Sequence, residues 1–196
     1  MVRNLNSNII EKTYPIIACC GLDCGLCPTY YTKGPSKCPG CCGPDFFSKH
    51  PSCSIITCCV KKNGFETCAE CSEFICSKLK GWDIYDSFIC HRVSLANLSF
   101  ISKKGIEAFL SQQNKRIKLL ERMLEYFNEG RSKSFFCLAT ALIPITDLEH
   151  SLNGSQLKIK NDGIMSDDFK TKSKILKECL NHYANKRKIR MKLIKK

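Results

Sequence analysis

Between residues 106 and 127 the apolar positions return at helical intervals. Ile106, Phe109, Leu110, Ile117, Leu120, Leu124 and Phe127 keep one face, Gln113 is the single polar gap, and Gly130 follows as a stop. The next segment, SFFCLATALIP from Ser134 to Pro144, is apolar on every side and predicts a buried helix ended by the proline. Thr146 and Glu149 have capping-box spacing and predict a short helix that closes before Gly154. Ser166, followed by Asp167 and Asp168, predicts the cap of a last helix reaching about Asn185. The tail IRMKLIKK alternates apolar with basic residues, the pattern of a strand or of a disordered basic end.

The first half lacks such periodicity. From Cys19 to Asp45 the chain is broken by Gly, Pro and Cys, which predicts loops with one short helix around Thr29–Lys33. CSIITCCVKKNG predicts a helix from about Ser54 to Asn63, with Lys61 and Lys62 in its last turn and Gly64 past its end. CAECSEFICSKLKG repeats that grammar, with Glu70 and Glu73 early, Lys78 and Lys80 late, and Gly81 after. The fold class expected is mainly α: an N-terminal cysteine-rich metal-binding module of short helices and loops, followed by a C-terminal helical region. The expected boundaries are 1–86 for the module, 87–165 for the helical region and 166–196 for a basic C-terminal helix and tail.

Composition changes the picture most at cysteine. The 196 residues contain 16, and 14 of them lie at or before Cys90. The longest apolar run near the start, Ile16 to Cys20, is cut at once by Gly21, too short for a signal-peptide core. No stretch approaches the roughly 20 apolar residues of a membrane-spanning helix. A cytoplasmic protein with reduced thiols is the expectation, with no membrane, and there clustered cysteines favour metal over disulfides.

The spacings sharpen that reading. They run Cys20-x3-Cys24-x2-Cys27, Cys38-x2-Cys41, Cys53-x4-Cys58 and Cys68-x2-Cys71-x4-Cys76. A Cys-x2-Cys turn lets two thiolates converge on one ion, and four thiolates make a closed structural zinc site. Iron–sulfur clusters use four thiolates as well. Cys20-x3-Cys24-x2-Cys27 followed by Pro28 has the compactness of a run that ligates a 4Fe-4S cluster, and also the spacing of radical S-adenosylmethionine enzymes. Those enzymes need a large α/β barrel, and nothing after Cys27 alternates strands with helices. Zinc (Zn) is the favoured cofactor because the thiols are spread over pairs, as in small modules that fold only with metal. A 4Fe-4S cluster stays open as the alternative.

CCGLDCGLCPTYY, then CPGC, then CSIITCCVKKNGFETCAECSEFICSKL resembles the uncharacterised cysteine-rich family catalogued as domain of unknown function 3795, over roughly Ile16 to Gly81. The resemblance implies that Cys20, Cys24, Cys27, Cys38, Cys41, Cys53, Cys58, Cys68, Cys71 and Cys76 are the recurrent, metal-binding cysteines. Members usually have Pro where this chain has Ile75. Cys19, Cys42 and Cys59 neighbour the pattern without belonging to it and are expected not to be ligands. NEGRSKSFFCLATALIP is similar to the second half of longer members. The family's role is not known, so the resemblance implies a module and not a task. His50 and His91 could each replace a thiolate, although packing roles are the simpler expectation. Cys137, inside the apolar helix, is expected to be a buried small side chain.

Charge adds a last element. Residues 1–100 hold ten basic and eight acidic residues, whereas residues 101–196 hold 21 and 10. Seven of those basic residues lie between Lys186 and Lys196. The turn Arg131, Ser132, Lys133, Ser134 precedes a helix N-terminus and is a weak candidate for anion binding. An anionic partner, nucleic acid or an acidic protein, would suit the basic half, but the tail lacks an aromatic for stacking. Paired carboxylates, a Ser-His-Asp order and phosphate-binding glycine patterns are all missing, so the expected role is a binding or adaptor module, not an enzyme. The alternative is an iron–sulfur redox or enzyme-accessory protein.

Overall fold

The computed structural model describes residues 11–51 and 53–196; the first ten residues of the expected module lie outside that range. Among the described residues there is no strand, and the chain is mainly helical. The elements are α1 (Phe46–Lys49), α2 (Ser54–Ile56), α3 (Ser94–Lys104), α4 (Ile106–Tyr126), α5 (Lys133–Leu142), α6 (Ile145–Asn161) and α7 (Phe169–Lys186). Single 3-10 turns lie at Cys24–Leu26, Gly34–Ser36 and Cys68–Glu70.

Two apolar clusters organise these elements. The first gathers Ile17, Cys19, Cys42, Ile55, Cys59, Leu79, Leu98 and Phe109, so cysteines stand where aliphatic side chains would in an ordinary core. The second is conventional: Leu120 and Met123 of α4, Phe136 of α5, Leu148 and Leu152 of α6, and Leu176 and Leu180 of α7. Helix α4 belongs to both, through Phe109 near its start and Leu120 further on. Leu26, on the 3-10 turn between Cys24 and Cys27, is buried in the second cluster and ties the cysteine run to the helices.

Several local expectations are corrected. Pro144 does end α5, but it also stands at the cap position of α6, with φ −55° already suited to a helix entry. Helix α6 therefore starts at Ile145, not at a Thr146 cap, and runs through Gly154 to Asn161. The roughly 1 kcal/mol cost of an interior glycine is outweighed by burial of Leu148 and Leu152 against α7. The cap of α7 is Asp168, whose carboxylate accepts the Thr171 N–H at 2.9 Å, rather than Ser166. Helix α3 was not anticipated; its buried positions are few, Ser94, Leu98 and Ile101. Arg116 of α4 closes the end of α5 by donating to the carbonyls of Thr140 and Ile143.

In the first half, the helix expected over Ser54–Asn63 is present but widens from α2 into a π-helical segment, Thr57–Lys62. The segment from Cys68 to Lys80 is not a helix. Thr67 and Glu70 form a capping box, and then Cys71, Phe74 and Leu79 each bond back three residues, to Cys68, Cys71 and Cys76. Each turn is closed by the residue type expected to hold metal. Around Thr29–Lys33 there are likewise turns instead of a helix.

The tail is neither a strand nor a free end. Residues 189–195 run back over the loop that follows the cysteine-rich segment. Asp86 N–H donates to Ile194 O at 2.7 Å, and Ile194 N–H donates to the Asp86 carboxylate at 2.8 Å. Arg92 donates to the carbonyls of Arg190 and Lys192 at 2.8 and 3.1 Å. Ile189, Met191 and Leu193 are half-buried while Arg190 and Lys192 are exposed. The alternation in the sequence is that of an extended segment docked by its apolar side.

Candidate metal centre

The cysteines of the first half are free thiols that converge from loops, 3-10 turns and the α2/π segment. Two glycines permit the convergence. Gly21, at φ +84°, lies so close to the Ser94 carbonyl that a Cβ would overlap it, and Gly40, at φ +87°, lies as close to the Pro15 carbonyl. Both positions need the left-handed backbone and the missing side chain.

The tightest gathering is of Cys19, Cys41 and Cys42, all buried, with sulfurs within 4.8 Å of one another. Cys19 Sγ is 4.0 Å from Cys41 Sγ. The S–H groups of Cys41, Cys42 and Cys59 act on Cys19 and hold it well below the usual thiol range, against the opposing effect of burial and with help from Lys12. Cys41 is pushed up to about 12 because its S–H is held in a hydrogen bond to the Cys19 sulfur, and Cys42 is raised for the same reason. Cys59 is raised as it donates towards Cys19 and Cys68. Among the described residues no other three potential ligands come as close together. Two of the three, Cys19 and Cys42, are outside the recurrent pattern and were expected not to be ligands.

Six recurrent cysteines, Cys20, Cys24, Cys27, Cys38, Cys41 and Cys53, line one cavity of about 230 Å³. Burial pushes the Cys20 thiol up to about 12 and the Cys24 thiol well above its usual value. Neither ionises near neutral pH unless a cation takes the place of the proton. His50, stacked on Phe46 with ring centroids 4.2 Å apart, places Nε2 3.3 Å from Cys38 Sγ at the cavity wall. Cys27 Sγ is 2.9 Å from Thr29 Oγ1. The remaining four, Cys58, Cys68, Cys71 and Cys76, line a separate small pocket of about 30 Å³ with Cys59. Asn63 Nδ2 lies 4.0 Å from Cys58 Sγ and donates to the Cys58 carbonyl at 2.7 Å.

Lys12 was not singled out from the sequence. It is buried, its ammonium donates to the Ile17 carbonyl, and it faces the Cys19 and Cys41 sulfurs. Burial works to lower its pKa, but those sulfurs, with Cys24 and Glu66, outweigh it and the net direction is up. A buried cation beside the Cys19 thiolate is electrostatically apt, but nothing local in the sequence marks it.

His91 is engaged elsewhere. Its Nδ1 is 3.2 Å from the Trp82 carbonyl and its Nε2 is 2.9 Å from Ser87 Oγ. Cys137 is buried, and burial first, then Cys27, pushes it up to about 12. In the Arg131–Ser134 turn, Ser132 is fully buried and donates to the Glu129 carboxylate at 2.6 Å, while its oxygen lies 2.8 Å from Ser173 Oγ. Lys133 donates to Thr32 Oγ1 at 3.2 Å. Although its partial burial opposes the shift, Ser132, Ser173 and Lys177 take the Glu129 carboxyl down to about 2. Ser132 thus already faces an anion, Glu129, Lys133 is engaged with Thr32, and Arg131 and Ser134 are exposed.

Among the described residues no helix is long and apolar enough to cross a membrane. No family model matches the chain, and neither a curated protein nor a solved structure does.

Proposed function

We propose that this is a metal-binding protein of the cysteine-rich family catalogued as domain of unknown function 3795, with thiolate-bound ions, zinc first among them, holding its first half in shape. It acts in the cytoplasm as a binding or adaptor module and not as an enzyme. The observation that carries metal binding is the convergence of Cys19, Cys41 and Cys42, buried and with sulfurs within 4.8 Å of one another. Unpaired thiols in such contact are poorly solvated and gain most from a cation that replaces their protons. The surroundings support a structural role, since the region offers three-residue turns and short helices in place of continuous apolar faces. Four thiolates leave no open position for activating water. The net positive charge of residues 101–196 supports an anionic partner.

One observation favours a second reading, an iron–sulfur protein. Four sulfurs held about 2.3 Å from a zinc ion lie about 3.8 Å apart and leave no void between them. The cavity lined by Cys20, Cys24, Cys27, Cys38, Cys41 and Cys53 has about 230 Å³, an order of magnitude more than the ~15 Å³ that one small guest needs. Metal analysis and visible spectroscopy of anaerobically purified protein test both readings. Zinc in whole-number stoichiometry with no visible absorbance supports the first, and iron with sulfide and a charge-transfer band supports the second. Folded, protease-resistant protein with neither metal would overturn both.

A further inference from the structure

We infer that the recurrent cysteines form two metal sites of different kind: a one-ion site of Cys58, Cys68, Cys71 and Cys76, and a multi-metal site in the cavity of Cys20, Cys24, Cys27, Cys38, Cys41 and Cys53. The inference rests on the metal-binding reading above and divides zinc and iron–sulfur between two places in one chain.

The spacings in the sequence leave the grouping open, because any four of ten thiols could combine. The fold sorts them. Cys58 comes from the π-helical segment, Cys68 and Cys71 from a 3-10 turn fixed by the Thr67–Glu70 capping box, and Cys76 from the turn that follows. All four are half-buried and open on one pocket of about 30 Å³. That is room for a single small guest, and four thiolates complete a tetrahedral zinc shell. No three of their sulfurs are yet as close as those of Cys19, Cys41 and Cys42. The ring of four therefore contracts when the ion binds.

The other six, joined on the wall by Cys19 beside Cys41, face a space too large for one ion and supply more thiolates than the four that a cluster takes. A second, independent feature belongs to the same wall. The indole N–H of Trp82 is buried and has no hydrogen-bond partner among the described residues, although Trp82 lines the cavity. A buried donor left without an acceptor is costly, and the sulfide of a cluster supplies one. His50 Nε2, near Cys38 Sγ, is placed to act likewise; hydrogen bonds to cluster sulfurs tune such centres. The wall also brings the apolar side chains of Ile55 and Phe46.

The test is anaerobic purification of the full chain and of Cys71→Ser and Cys24→Ser, followed by zinc, iron and sulfide analysis and visible spectra. Cys71→Ser should lose one zinc per chain and keep the iron and the charge-transfer band. Cys24→Ser should lose iron and the band and keep the zinc. Loss of the same metal from both variants would overturn the division while leaving metal binding intact. Wild-type protein without bound metal would overturn metal binding itself. Should either variant fail to fold, X-ray absorption of the wild type decides. Zinc with four sulfurs and no near metal neighbour, beside iron with a short metal–metal distance, is expected; a single environment for one metal refutes two sites.

Discussion

Replacing Asp86 by alanine tests how the basic tail is held. The Asp86 side chain is fully buried, accepts the His91 and Ile194 N–H groups at 2.7 and 2.8 Å, and faces Arg92 Nε at 3.3 Å. Alanine leaves two backbone donors without their acceptor and Arg92 without its counter-charge. Loss of one partner of a buried ion pair costs about 3–5 kcal/mol, and the 17% exposure of Arg92 moves the expectation to the low end, about 3 kcal/mol. For a chain of this length that is a fall in melting temperature of roughly 6–12 °C. The assay is thermal and urea unfolding of the metal-loaded protein, with hydrogen exchange at residues 189–195 to show that the tail has been released. The pH dependence carries its own sign. Burial works to raise the Asp86 carboxyl, but the Ile194 and His91 N–H groups and Arg92 outweigh it, and its net direction is down. Its stabilisation is therefore complete above the unfolded value near 3.9 and disappears as pH falls through the lower folded value, so the gap between wild type and variant should close in acid. A loss under about 0.5 kcal/mol at pH 7, with the tail still protected from exchange, would refute the docking.

Leu26→Ala should cost about 2–5 kcal/mol, because Leu26 is 2% exposed in the helical core, while bound metal stays at wild-type stoichiometry. A variant that keeps its stability would show that the cysteine run is not anchored there. Chelation under reducing conditions should raise hydrogen exchange across Ile16 to Gly81 and leave α4 to α7 protected; uniform protection after complete metal removal would count against metal-dependent folding. Since burial pushes Cys20 up to about 12 and Cys24 well above its usual value, metal affinity should climb with pH, and loading should release protons into a weakly buffered solution. Competition with a chromophoric chelator at about pH 6 and 8 checks this, and equal affinities would contradict it.

The sequence by itself determined the helices that carry their own pattern. The apolar stripe from Ile106 to Phe127 needs only one covered face to become α4, and the stretch from Phe135 to Ile143, apolar all round, has nowhere to go but a core. It also determined that the stretch from Cys19 to Asp45, broken by Gly, Pro and Cys, would run mostly as loops and turns. Tertiary structure decided whatever depends on residues distant in the chain. Gly154 reads as a stop until Leu148 and Leu152 find α7 to pack on. Cys68 to Lys80 read as a helix because its charges and glycine are those of one, yet its backbone closes three-residue turns that aim sulfurs at a shared pocket. The tail's alternation is a local signal with two local meanings, and Asp86 and Arg92, about a hundred positions away, select a third. Cysteine grouping lies furthest from the sequence. Spacing says which thiols can share an ion within one turn, but Cys19, Cys41 and Cys42 meet, and ten thiols divide into six and four, only because loops from four segments cross at positions such as Gly21 and Gly40, where no side chain stands in the way.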